Sequence, residues 1–128
     1  MKKIYYLKTC NTCQKILKAL DAPNDFQLQN IKEKPISITD LEILKSLSGS
    51  YEALFSKRAK LYKEMGLKNE DLKEMDFRQF ILDHYTFLKR PIIVVDNKIY
   101  IGNSQKTLAA AKLALSNARK TKREHIIA

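Results

Sequence analysis

The chain has 128 residues, with 24 Lys and Arg against 14 Asp and Glu, a net charge of +10. With 45% hydrophobic residues and only three glycines and three prolines, it is neither a disordered nor a loop-rich chain, and its length suits one core without disulfide staples. The positive charge biases it toward anions, but the lysines are scattered and no aromatic-studded basic strand or recognition motif accompanies them, so no direct sequence-specific nucleic-acid binding is expected.

Residues 3–7, KIYYL, are β-prone and run directly into Cys10 and Cys13. The few apolar residues before Lys8 are too short a run for a signal-peptide core, and no stretch reaches the roughly 18 apolar residues of a membrane span. A cytoplasmic location without membrane attachment is the expectation. Cys13, Ile16, Leu17 and Leu20 repeat at helical spacing and predict a helix over about Asn11–Asp21, which places the cysteines at a strand-to-helix corner. APND then breaks the pattern, and FQLQNI alternates as a half-buried strand would.

From Ser37 the pattern turns helical. Ile38, Leu41, Leu44 and Leu47 predict one helix, ended by SGS. Tyr51, Leu54, Phe55, Leu61, Tyr62 and Met65 predict a second, closed by Gly66, and Phe77, Phe80, Ile81, Tyr85 and Leu88 a third. RPIIVVDNKIYIGN then restores β character: Ile92–Val95 is apolar on both faces, as a central strand is, and Asp96-Asn97 suits a tight hairpin turn. Asn103 or Ser104 can cap a last helix with Leu108, Ala111, Leu115 and Ala118 inward. The expected organisation is one domain over 1–118, with a helical insertion at about 37–88, and a frayed basic tail over 119–128.

This order, β-α-β, a helical block, then β-β-α, is that of an α/β thioredoxin-like fold with a mixed four-stranded sheet and a helical insertion. Pro91 immediately precedes the third strand, where thioredoxin-like folds carry a cis-proline facing the cysteines.

The cysteine pair admits three readings. It can be inert packing, but it follows a strand directly and brackets polar Asn11 and Thr12. It can be a metal clip, but zinc takes four clustered Cys or His ligands and only His84 and His125 remain, unclustered. It can be reactive: amides and the positive dipole end at a helix start stabilise a thiolate at Cys10, and Cys13, one turn on, is placed to resolve an adduct. Arg58 interrupts an apolar helical stripe, where it either snorkels to a local glutamate or serves an anion. Arg90, before Pro91, is either a solvent-exposed strand start or a neighbour of the cysteine corner. Two arginines converging on a thiolate make a site for a tetrahedral oxyanion. His84 reads as a core-edge histidine.

TCNTCQKIL, LFSKRAKLYKEMGL and LKRPIIVVDNKIYIGN occur in the order and approximate spacing of the arsenate reductase and Spx family, which the chain resembles to about Ala114. The resemblance implies that Cys10 is the nucleophile, that Cys13 is available as a resolving thiol, and that Arg58 and Arg90 contact the oxyanion. It implies no metal or bound cofactor, glutathione or another thiol as co-substrate, and a glutaredoxin or thioredoxin-type reductant as partner. Members carry a third arginine after the hairpin, where this chain has Gly102. The Spx branch instead implies a redox-sensing transcriptional regulator that binds the RNA polymerase α subunit and is switched by a Cys10–Cys13 disulfide.

Overall fold

A computed structural model describes residues 1–127, with side chains described through Asn117. Two compact units are present. The first is formed by residues 1–30 together with the chain from Arg90 onward, and the second by Ile31–Lys89.

In the first unit, β1 (Lys2–Tyr6), β2 (Gln27–Asn30), β3 (Ile92–Val95) and β4 (Lys98–Ile101) form one sheet of order β2-β1-β3-β4. β1 runs parallel to β2 and antiparallel to β3, and β3 and β4 form the hairpin. Its turn is Asp96-Asn97, with Asp96 left-handed at φ 57°. α1 (Asn11–Leu20) connects β1 to β2, and α5 (Gln105–Ile127) follows β4. Ile4 and Ile93, register partners on adjacent strands, share a core with Ile16 and Leu20 of α1 and Ala111 and Leu115 of α5. Burying each large aliphatic side chain contributes about 1.5–3 kcal/mol, which fixes both helices against the sheet. All four residues of β3 are buried, as an interior strand requires. Ser104 caps α5 by accepting the Thr107 N–H at 3.1 Å. The inward placement of Ala118 lies outside the described side chains, and the backbone expected to fray over 119–128 is instead helical through Ile127.

β2 departs from simple alternation. Phe26 and Ile31 are buried, but Gln29 is buried too and Leu28 is 55% exposed. Leu28 pairs with Ile4 on the same sheet face, yet β2 is the edge strand and its outer apolar position is left uncovered.

The second unit keeps the predicted first helix, breaks the middle one, and ends the third at Asp83, with Tyr85–Phe87 a separate 3₁₀ turn and Leu88 extended where the helical spacing predicts continuation. α2 (Ile38–Ser48) is capped by Ser37 Oγ, which accepts the Asp40 N–H at 3.0 Å, and ends at Gly49, left-handed at φ 93°. α4 (Glu74–Asp83) buries Phe77 and Ile81. Between them the expected helix over Tyr51–Met65 is instead a 3₁₀ turn (Glu52–Leu54), an extended Phe55 bridged to Leu88, an irregular turn, and the single short helix α3 (Lys60–Glu64). The cause is tertiary. The Phe55 ring stacks on Phe87 at 5.0 Å and packs against Phe77 at 4.8 Å, while Ser56 N–H donates to the Phe87 carbonyl at 2.7 Å and Lys89 N–H to that of Leu54 at 2.8 Å. The Glu74 carboxylate holds the 3₁₀ turn by accepting the N–H groups of Tyr51 (2.7 Å) and Glu52 (3.1 Å).

Candidate functional site

The cysteine corner is built by the chain reversal between β1 and α1. Leu7 is buried and its carbonyl accepts the Cys10 N–H at 3.1 Å. Two side chains brace the turn from outside: Asn30 Oδ1 at the end of β2 accepts the Lys8 N–H at 3.2 Å, and Gln14 Nε2 donates to the Lys8 carbonyl. Neither Asn30 nor Gln14 stands out in the sequence, because an amide side chain has no periodic signature. Both restrain the approach of the chain to Cys10.

Cys10 is the N-cap residue of α1, extended at φ −92° and ψ 112°, and its carbonyl accepts the Gln14 N–H. The N-cap side chain faces the unpaired donors of the first turn. As a neutral thiol Cys10 makes no capping hydrogen bond, and the first turn holds no acidic residue to compete for those donors. Partial burial pushes the Cys10 thiol up, but the Cys13 N–H, the Cys13 side chain, the Thr12 N–H and the Arg90 charge together outweigh it, so its pKa is lowered. The thiolate is thus a better cap than the thiol, and the first-turn amides favour the nucleophilic form.

Cys13 lies one turn on, buried in unit 1, and both cysteines are free. Burial raises its pKa, and hydrogen bonding and charge from Cys10 raise it further, against lowering by the Leu7 backbone and Arg90. The pair is therefore asymmetric: a partly exposed sulfur whose pKa is lowered beside a buried one whose pKa is raised and whose thiol hydrogen-bonds to it. Such an arrangement presents one nucleophile to solvent and holds a second thiol in reserve.

Arg90 belongs to this corner, since its charge reaches both sulfurs. The Arg90-Pro91 peptide is cis and Pro91 is buried, in keeping with the sequence reading. The Gly102 N–H donates to the Pro91 carbonyl at 2.9 Å, with Gly102 at φ 88°. A side chain at that φ is strained, so the backbone itself disfavours an arginine there.

Arg58 corrects the sequence reading of its surroundings. It is exposed on the turn before α3 in the second unit, rather than on an apolar helical stripe, because the helix that would carry the stripe does not form. His84 sits at the rim of the aromatic core, beside buried Phe87, as the sequence reading has it. It is exposed beyond the end of α4, with its ring edge-on to Phe87 at 5.7 Å. Among the described residues no group of three or more Cys, His, Asp or Glu side chains is arranged to hold a metal, and no helix is long and apolar enough to cross a membrane.

A strand-to-helix cysteine pair, a cis-proline before the third strand and a helical unit inserted between two halves of a mixed sheet occur together here. The ArsC family model matches residues 5–111. The chain belongs to the ArsC family. It is 25% identical over 107 residues to the global transcriptional regulator Spx of Bacillus subtilis, covering 82% of each chain, and 28% identical over 112 residues to Spx of Streptococcus pyogenes, covering 86% of this chain and 84% of that one. Among solved structures, the arsenate reductase from Vibrio cholerae superposes with a TM-score of 0.71 at 22% identity, over 86% of this chain and 96% of that one. That similarity establishes the shared thioredoxin-like fold of this ArsC member.

Proposed function

We propose that this ArsC-family chain is a thiol-dependent oxidoreductase of the arsenate-reductase type, with the Cys10 thiolate attacking a bound oxyanion. The observation that carries the reading is Cys10 at the N-cap of α1, its thiol lowered by two first-turn amides, the Cys13 side chain and Arg90. Arg90, beside the sulfur, holds the oxyanion, and the family resemblance alone assigns Arg58 a part in the same role. An S–As bond forms at Cys10 and one arsenate oxygen leaves as water. A second thiol, from glutathione or another small thiol, completes the reduction: two thiols give up two electrons and end as a disulfide, and arsenic leaves as arsenite. A glutaredoxin or thioredoxin-type protein then returns the disulfide to thiols. Cys13 is the alternative second thiol, closing a Cys10–Cys13 disulfide.

Two observations favour a second reading, a redox-sensing regulator that binds the RNA polymerase α subunit. The Cys13 thiol hydrogen-bonds to Cys10, which suits a dithiol switch, and by the family resemblance Gly102 stands where arsenate reductases carry a third arginine.

One experiment separates the two. The purified protein is assayed for arsenite formation with arsenate, glutathione and glutaredoxin, beside Cys10→Ser. In parallel, it is used to capture purified α subunit in reduced and oxidised form. Turnover lost in Cys10→Ser supports the enzyme. No turnover, with redox-dependent capture of α, supports the regulator. Neither activity removes both.

A further inference from the structure

The flank of the first unit away from the cysteine corner carries a feature that thiol chemistry does not use. An open groove of about 340 Å³ runs between α1 and α5. Ile16 and Leu20 on one side and Leu108 on the other line it with apolar carbon. Ala19 and Ala109, both exposed, also line it, and their small side chains keep it open. Leu113, i+4 from Ala109, continues the apolar strip along α5 and is 64% exposed. Polar function is confined to two cations, Lys15 on α1 and Lys112 on α5.

The two helices that form the groove carry charge of one sign along α1 and along α5 through Asn117. α1 carries Lys15 and Lys18 and no carboxylate. α5 carries Lys106 and Lys112 and no carboxylate through Asn117. None of the ion pairs found among the described residues uses any of these four lysines.

We propose that this groove docks an acidic amphipathic helix of a partner protein. Side chains on a helix at i, i+3 and i+4 form a ridge that fits between two helices, and carboxylates flanking that ridge meet Lys15 and Lys112. A membrane surface fits less well, because most of the apolar surface is recessed between helices behind alanine and lysine instead of projecting as a membrane-bound helix requires. The proposal does not depend on the redox reading.

The test uses the full chain and a synthetic helical peptide of about 14 residues, some four turns, with leucines on one face and glutamates flanking them. Binding is read by fluorescence anisotropy, and location by methyl chemical shifts of Ile16, Leu20 and Leu108. Reversing both charges in Lys15→Glu/Lys112→Glu should weaken binding about tenfold, since two exposed pairs change from attractive to repulsive. The control Lys63→Glu/Lys68→Glu, with the same net charge and both sites exposed in the second unit, should change it little. Ala19→Glu, which places a carboxylate in the groove, gives an independent loss. All three substituted proteins are first checked for wild-type circular dichroism. Equal loss in the control, shifts elsewhere, no binding, or tighter lysine-dependent binding to phosphatidylglycerol vesicles than to the peptide would each overturn the proposal.

Discussion

Cys13→Ala tests the thiolate mechanism most directly, because it removes the side-chain donor to Cys10 while leaving both first-turn amides in place. A hydrogen bond to a charged group contributes about 1.5–3 kcal/mol, but a thiol is a weak donor and Cys10 is partly solvated, so about 1 kcal/mol is the reasonable share here. Losing it raises the Cys10 pKa. Below both pKa values the thiolate fraction then falls about fivefold. Because the more basic thiolate is intrinsically the better nucleophile, with a Brønsted slope near 0.4–0.5, the alkylation rate falls only about two- to threefold. Iodoacetamide labelling of Cys10 across pH, followed by mass spectrometry, measures both the midpoint and the rate. Arg90→Gln should move the midpoint in the same direction by less, since the Arg90 charge is the smallest of the contributions that lower it. An unchanged midpoint in Cys13→Ala, or a larger shift in Arg90→Gln, would refute this account of the site.

Further consequences concern stability. The Cys10 pKa lies below the free-thiol value of 9.0, so its ionisation contributes stability that is fully present above that value and lost as pH falls through the folded-state pKa. Under reducing conditions, the melting-temperature gap between the wild-type chain and Cys10→Ser should therefore widen as pH rises toward 9.0, and a flat gap would contradict the linkage. Glu74→Ala strips the acceptor from two backbone N–H groups and should cost about 1–3 kcal/mol in urea unfolding, with Glu74→Gln recovering part of it. Phe55→Ala empties the centre of the aromatic cluster and should cost about 3–5 kcal/mol; a loss below 1 kcal/mol would mean that Phe55 does not organise the inserted unit. Gly49→Ala meets no neighbouring atom but must hold φ 93°, so it should destabilise by about 1 kcal/mol through backbone strain alone, again read by urea unfolding.

The first unit was legible because local and long-range preferences agree there. Cys13, Ile16 and Leu20 mark the buried face of α1, and the same spacing that predicts the helix puts Cys10 at its cap. Asp96-Asn97 turns where the flanking strands need a turn, and Pro91 stands where β3 begins. In the second unit the two levels conflict. Tyr51 to Met65 has helical periodicity, yet Phe55 gains more from the Phe77 and Phe87 rings and from pairing with Leu88 than from continuing a helix, and those partners lie far away in sequence. Periodicity counts residues on one element and has no way of weighing contacts with another. The surroundings of Arg58 are not legible from spacing for that reason, whereas the position of Arg90 follows from the strand it precedes. Leu28 shows the same limit in the sheet: alternation identifies a strand, but edge or interior is decided by neighbours, and an edge leaves the outward leucine bare. The braces at Asn30 and Gln14 were invisible for a third reason. They act through single hydrogen bonds to a loop carbonyl and a loop amide, and nothing in residue type or spacing distinguishes such an amide from a solvated one until the loop itself is in place.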